Sequence, residues 1–395
     1  MRLIFPGISY SKPGGAENLM AQVIKTARID FNVSSIIIGE KGSFLVSRLK
    51  AENIPFIFLQ DCEVDDFTFE EEDLWVHTHN TSSLSTIKKK PGKAIIWCVL
   101  INSLTDWNRF RFEVRLTGQK LLGNIMTRRL IRVLLKKNAL VAMDGATADS
   151  ICDFIGVRAK IPLLPVAIET DGAPLKCEFS NNRKECYVVS YIGRSDDVWK
   201  IKPIKKIVFD LQNLGKNFLV NIYTDCKEPF EKELSSFVGG NVGVRYHIGM
   251  FGSHLREHLV ANSDIHFSMG LSALEGALCR IPTILVDPSS SDLPHNYRYR
   301  WLYEMECFSL GRFVGGSATS FPGMKMREVL EVLERKCLAY DVAEKNRQYV
   351  IQNHGPSHIT QVLLAVNSCA SNKDISRLTP SSWAIARKLR RIVSA

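Results

Sequence analysis

The sequence has 395 residues, of which 45% are hydrophobic and 23% charged, a globular balance that excludes a disordered chain and is long enough for two cores of ordinary size. Lys and Arg exceed Asp and Glu by 51 to 41, a net charge of +10, which favours an anionic partner without choosing among nucleotide, phosphate, nucleic acid and membrane surface. The ten cysteines, at 62, 98, 152, 177, 186, 226, 279, 307, 337 and 369, form no CxxC pair; they read as reduced thiols of a cytosolic protein and argue against a disulfide framework or a zinc site.

From the N-terminus, MRLIFPGISYSKPGG has Pro and Gly within seven residues and lacks the apolar stretch of a signal peptide. No uncharged apolar run of 18 residues follows anywhere, so a cytoplasmic location is expected. Short apolar runs then alternate with longer helical patterns: RLIFPG, SSIIIG, IPFIFL, LWVHTH, AIIWCVL and ALVAM first, then YVVSYIG, FLVNIYT, VGVRYHIG, DIHFSM and PTILVD. Such alternation predicts an α/β protein with two parallel sheets covered by helices. Between the two series, IPLLPVAIETDGAPLKCEFSNNRKE breaks the periodicity. The expected organisation is an N-terminal domain over 1–165, a linker over 166–185 and a C-terminal domain over 186–370. Residues 340 to 366 read as helices, and a final helix in 371–395 starts near Ser381, after Pro380.

Three stretches carry candidate chemistry. GGAENLMAQVIKTA (14 to 27) opens a helix on Gly14 and Gly15, which either let backbone amides approach an anion or merely turn the chain. YIGRSDDVWKIKP (191 to 203) ends a strand at Gly193, followed by Arg194 and, six positions on, Lys200. Ligands of parallel sheets bind outside the carboxyl ends of the strands, so this pair can hold a diphosphate, although a lone Arg and Lys also read as a solvated basic loop. DIHFSMGLSALEGALCRIPTILVD (264 to 287) runs a strand into Gly270 and a helix, with Ser272 as expected N-cap and Glu275 in the expected first turn. There Glu275 either accepts hydrogen bonds from ribose hydroxyls or stabilises the helix dipole.

Together and in this order, the three stretches resemble the GT-B glycosyltransferases, especially family 4 and related transferases of bacterial surface polysaccharides. GGAENLMAQVIKTA looks like that family's GGAE motif, YIGRSDDVWK like its GR-x(4 to 5)-K motif, and LVANSDIHFSMGLSALEGALCRIPTILVD like its donor-binding segment. The resemblance implies a GT-B fold, two Rossmann-like domains facing a cleft, with the nucleotide sugar bound mainly by the C-terminal domain. It assigns Arg194 and Lys200 to the leaving diphosphate, with Lys202 as a substitute, Glu275 to the ribose, and the amides of Gly14 and Gly15 to the phosphates. Gly193, Gly270 and Ser272 complete the expected donor site. The chain departs from the family where an earlier Glu is usual, eight residues before Glu275, and has Phe267 instead. It also lacks the family's His in AIIWCVLINS, and offers His77 and His79, in DLWVHTHNTSS, as strand-end candidates to face the cleft.

The resemblance implies a glycosyltransferase, possessing no cofactor beyond its nucleotide-sugar substrate, that acts on a carbohydrate or lipid-linked acceptor in bacterial surface polysaccharide synthesis. No D-x-D triplet occurs, so a metal-independent reaction is expected, with Arg, Lys and helix amides neutralising the diphosphate. The alternatives are a sugar-nucleotide 2-epimerase of the same fold and a degenerate transferase that only binds. Nucleic acid is not an expected partner, because no RNP, zinc-finger or arginine-rich signature is present. Between Gly118 and Asn138 lie six Lys or Arg and no acidic residue. An amphipathic helix there, with Leu130, Ile131, Leu134 and Leu135 on one arc, suits an anionic membrane surface, or equally a helix packed on a sheet with a solvated basic face.

Overall fold

Every apolar run named above becomes a strand. In the computed structural model, which describes residues 1–8, 15–78, 87, 89–99, 128–129, 131–179, 185–195, 198–237, 239–314 and 322–376, the chain divides into two units. One comprises the described residues of 1–167 and those from 356 onward, the other 168–355.

The N-terminal unit has strands β1 (Leu3–Ile8), β2 (Ser35–Gly39), β3 (Ile57–Leu59), β4 (Leu74–His77), β5 (Lys93–Cys98) and β6 (Leu140–Ala142). They form one parallel sheet in the order β3-β2-β1-β4-β5-β6. Ile36, Ile37 and Ile38 are all fully buried although they alternate in direction, because helices cover both faces of a parallel sheet. This is why these strands read as continuous apolar runs. Helix α1 (Gly15–Phe31) follows β1, α2 (Phe44–Ala51) starts on the Ser43 side chain, and α3 (Gly145–Ile155) starts on Asp144, whose carboxylate accepts the Thr147 N–H at 2.7 Å.

In the basic segment, residues 131–136 are helical, with Ile131 and Leu134 fully buried in the unit's core and Arg128 and Arg129 exposed. Its described apolar positions are therefore spent on the protein's own interior and are not available to enter a lipid interface. Most of 118–138 lies outside the described residues.

The C-terminal unit repeats the plan with β7 (Cys186–Ile192), α4 (Val198–Gln212), β8 (Asn217–Thr224), α5 (Glu228–Leu234), β9 (Val242–Ile248), α6 (Gly252–Asn262), β10 (Ile265–Ser268), α7 (Leu271–Leu278), β11 (Thr283–Leu285) and β12 (Arg300–Trp301). The order is β12-β11-β10-β7-β8-β9, parallel except for the antiparallel edge strand β12. Two residues long and polar at Arg300, β12 gives no periodic signal, and the sequence reading missed it. Val189, Tyr191, Val220, Phe267, Ile284 and Tyr299 fill the core.

Helices α8 (Met326–Leu333) and α9 (Lys336–His354) complete this unit. Helices α10 (Pro356–Leu364) and α11 (Asn372–Ser376) belong to the N-terminal one. There the Ala94 N–H donates to the Ala370 carbonyl at 2.8 Å, and Lys137 pairs with Asp374 at 2.8 Å. The last helix expected in 371–395 falls largely outside the described residues, which end at Ser376.

Both sheets thus have the doubly wound order in which the chain winds outward one way from the first strand and then returns to its other side. Each has a switch point, between β1 and β4 and between β7 and β10, where neighbouring strand ends diverge and leave a crevice.

Candidate functional site

The switch point of the C-terminal sheet collects the residues that the sequence singles out. After β7, the Gly193 N–H donates to the Tyr223 carbonyl at 3.1 Å. A Cβ on Gly193 would stand 3.0 Å from the Tyr191 ring and 3.3 Å from both Lys200 Cβ and Phe230. Close packing therefore demands this glycine, and it lets the root of Lys200 lie against the strand end. Arg194 follows, exposed. The loop is pinned one residue on, where the Ser195 N–H donates to Asp225 Oδ1 at 2.7 Å from the end of β8. Partial burial acts to raise the Asp225 carboxyl, but the bonds from Ser195 outweigh it and hold the group below its usual range. Lys200 is the third residue of α4, and its carbonyl accepts the hydroxyl of Tyr191, a phenol that burial pushes up and keeps a donor.

Lys202 does not join them. Its ammonium lies 2.9 Å from both oxygens of Glu233 on α5 and 3.8 Å from Asp292. Two positions along a helix is most of half a turn, so Lys202 faces α5 where Lys200 faces the strand end. The substitution considered from the sequence has no support in this geometry.

After β10, Gly270 takes φ 61° and ψ −146°, a combination essentially confined to glycine. Nothing lies within 4 Å of where its Cβ would be, so conformation, not packing, requires this residue. Because the turn is made at Gly270, the helix begins at Leu271, which corrects two expectations. Gly270 is the N-cap and Ser272 lies inside the helix. Glu275 is the fifth helical residue, beyond the first turn, where a carboxylate gains little from the dipole. Its side chain instead meets α6: Arg256 Nε donates to Glu275 Oε2 at 2.6 Å, and Arg256 Nη2 donates to the Glu169 carbonyl at 3.1 Å.

His266 ties the two strand ends together and was missed from the sequence. Fully buried, it approaches the Ser190 hydroxyl on β7 at 2.9 Å through Nδ1 and the Ser272 carbonyl at 3.0 Å through Nε2. Burial pushes it down to about 4, so it is neutral near pH 7. A carbonyl can only accept, so the single ring proton sits on Nε2 and Nδ1 accepts from Ser190. A Cβ on Gly276 would come within 2.2 Å of this ring. The polar residue within DIHFSM, with a glycine ten positions later, was the available signal. Phe267, where the resembled family has Glu, is buried against Tyr299 at 5.6 Å between ring centroids; a carboxylate there would be buried in the core.

At the N-terminal switch point less is furnished. Gly15 opens α1, and Gly14 lies outside the described residues, as does His79. His77 ends β4, 2% exposed, with Nε2 donating to Asn372 Oδ1 at 3.2 Å and Nδ1 bonded to nothing among the described residues. Burial pushes it down to about 4. Thr78 is buried too, so alternation cannot sort this strand into an inner and an outer face, and His77 is a neutral interior imidazole.

Among the described residues no group of three or more His, Cys, Asp or Glu could hold a metal ion, and no helix is long and apolar enough to cross a membrane. The chemistry assembled at the C-terminal switch point is therefore that of an anion and polyol site: a guanidinium and an ammonium at one strand end, an uncapped helix start at the next, and one carboxylate on that helix.

No protein-family model matches the sequence, and no curated protein matches it. Solved structures do. HepE from Anabaena, in complex with UDP and glucose, matches at 13% identity with TM-score 0.56, covering 92% of this chain and 98% of its own. A glycosyltransferase from Rickettsia africae matches at 14% with TM-score 0.60, over 93% and 97%. TarM of S. aureus matches at 10% with TM-score 0.57, over 93% and 98%. With two doubly wound units and this likeness over more than nine-tenths of its length, the chain has the GT-B fold.

Proposed function

We propose that the protein is a glycosyltransferase that binds a nucleotide sugar at the C-terminal ends of β7 and β10 and passes the sugar to an acceptor held by its N-terminal unit. The observation that carries this reading is the convergence on one switch point of Gly193, Arg194 and Lys200 with the Gly270 turn and Glu275. HepE, of the same fold, was crystallised with UDP and glucose, which makes UDP-glucose a natural first donor to try.

In the reaction, the bond from the anomeric carbon to the diphosphate breaks as the acceptor hydroxyl forms its own. Arg194 and Lys200 stabilise the negative charge growing on the departing diphosphate, assisted by the opening amides of α7, and Glu275 holds the ribose. The acceptor is a saccharide, free or lipid-linked, in bacterial surface polysaccharide synthesis, and the exposed Arg128 and Arg129 would meet an anionic surface. The chemistry needs no metal in this reading.

Screening common nucleotide sugars for protection against thermal unfolding tests it. A ligand at 100 times its dissociation constant adds about 2.7 kcal/mol. If none raises the melting temperature, the reading fails. If one does but is converted to its epimer without any acceptor, the protein is a sugar-nucleotide epimerase.

A further inference from the structure

We infer that Arg256 is a positioning residue for nucleotide recognition, presenting Glu275 to the ribose; the inference rests on the function proposed above. Arg256 lies on α6, which joins β9 to β10, outside every stretch that the sequence reading singled out. Its side chain is 11% exposed and that of Glu275 26%.

The bonding is asymmetric. Arg256 uses Nε alone on Glu275 Oε2 and sends Nη2 to the Glu169 carbonyl, instead of forking both nitrogens onto the carboxylate. Among the described residues Oε1 receives no hydrogen bond, and it is not among the buried polar atoms without a partner. One oxygen of Glu275 is thus fixed, and the other, with two lone pairs, is open on the solvent side.

A ribose presents two vicinal hydroxyls, both donors, and a single carboxylate oxygen can accept from both. An unpinned glutamate would have to be ordered on binding, so fixing its rotamer beforehand favours the complex. The bond to Glu169 in turn fixes the guanidinium. That carbonyl lies two residues past the point where the chain enters this unit, and its neighbour Ile168 donates to His354, next to the point where it leaves. Arg256 is thereby held from a stretch tied down at both ends and cannot follow Glu275 into other rotamers.

The test measures calorimetric affinities of the full chain for UDP and 2′-deoxy-UDP, and for GDP and its 2′-deoxy form. Wild type is expected to favour one ribo form about tenfold over its deoxy partner. Arg256→Gln should lose about tenfold in affinity for that ribonucleotide and most of the preference, because a charge-assisted bond is lost only through the ribose. Arg256→Lys should regain part of both. In the background of Glu275→Gln, adding Arg256→Gln should cost little more, since two residues acting through one contact are not additive.

An Arg256→Gln protein that folds, binds and keeps the full ribo preference overturns the inference while leaving the proposed function standing. So does full additivity of the two substitutions. Wild type that binds neither diphosphate overturns both. Should Arg256→Gln fail to fold, Arg256→Lys decides alone, an unchanged ribo preference counting against the inference.

Discussion

At the switch point of the C-terminal sheet the chain leaves β7 through Gly193 and the exposed Arg194, and leaves β10 through a turn that only glycine adopts. At the matching point of the N-terminal sheet β4 ends in His77, buried and bonded to Asn372. The strand orders are the same when read from each first strand outward, so the difference lies in the side chains alone. Topology supplies a crevice in both halves, and cations, a helix start and a polarised carboxylate convert one of them into an anion site.

The comparison is broken most directly at Arg194. If the C-terminal switch point carries the leaving group, Arg194→Ala should lower turnover by at least about 100-fold, the scale for removing a preorganised charge-stabilising group, with the melting temperature little changed because the side chain is exposed. Near-normal turnover in a folded Arg194→Ala protein would leave the two halves chemically equivalent.

The buried histidines offer a comparison in stability. His77 in one unit and His266 in the other are each pushed down to about 4 by burial, from about 6.5 in the unfolded chain. Between these values the unfolded state binds a proton that the native state does not, so stability is full above about pH 6.5 and falls as pH drops towards 4. Each histidine can account for up to about 3 kcal/mol of that loss. His77→Gln and His266→Gln should each flatten the decline in urea-unfolding midpoints between pH 7 and 4.5, the former for the N-terminal unit and the latter for the C-terminal one. A decline unchanged in both variants would assign acid sensitivity to carboxylates.

The outer surface of the N-terminal unit distinguishes it in a third way. Arg128 and Arg129 are exposed beside a helical stretch whose Ile131 and Leu134 are buried in the unit's own core. Any attraction to an anionic bilayer is then electrostatic and involves no insertion of those side chains. With about 1 kcal/mol for each basic residue near such a surface, Arg128→Glu combined with Arg129→Glu should release the protein from acidic vesicles, and raised salt should release wild type. Wild type that stays in the supernatant with acidic vesicles at low salt removes the membrane from the account.

The sheets were legible because a parallel strand covered on both faces must be apolar throughout, and SSIIIG or FLVNIYT admits few other readings. The glycines were legible as positions but not as causes: Gly193 is required by packing against Lys200 and Tyr191, Gly270 by its dihedral angles, and a sequence shows both as the same letter. Beginning the helix one residue earlier moved Ser272 from cap to interior and Glu275 out of the first turn. His266 and Arg256 were illegible for a different reason. Their partners, Ser190 and Glu169, lie 76 and 87 residues away, and no local pattern announces a contact across that distance.

Lys200 and Lys202 make the finest comparison, two lysines on one helix and two positions apart. Lys202 is shared with Lys205 in a network on Glu233 and Asp292, with Lys205 2.7 Å from Asp292 and 3.6 Å from Glu233. The side chains are part-exposed, Lys202 at 29% and Glu233 at 19%, and Lys205 remains to neutralise the acids when Lys202 is removed. Lys202→Ala should therefore cost less than about 1 kcal/mol of stability, as partly solvated pairs do, and leave turnover unchanged. Lys200→Ala, whose Cβ lies by the Gly193 strand end, should lower turnover with little effect on melting. Parallel activity and melting curves for the two variants measure this directly. A loss of turnover in Lys202→Ala equal to that in Lys200→Ala would mean that the helix presents both ammonium groups to the diphosphate, and that the network on Glu233 opens when the nucleotide binds.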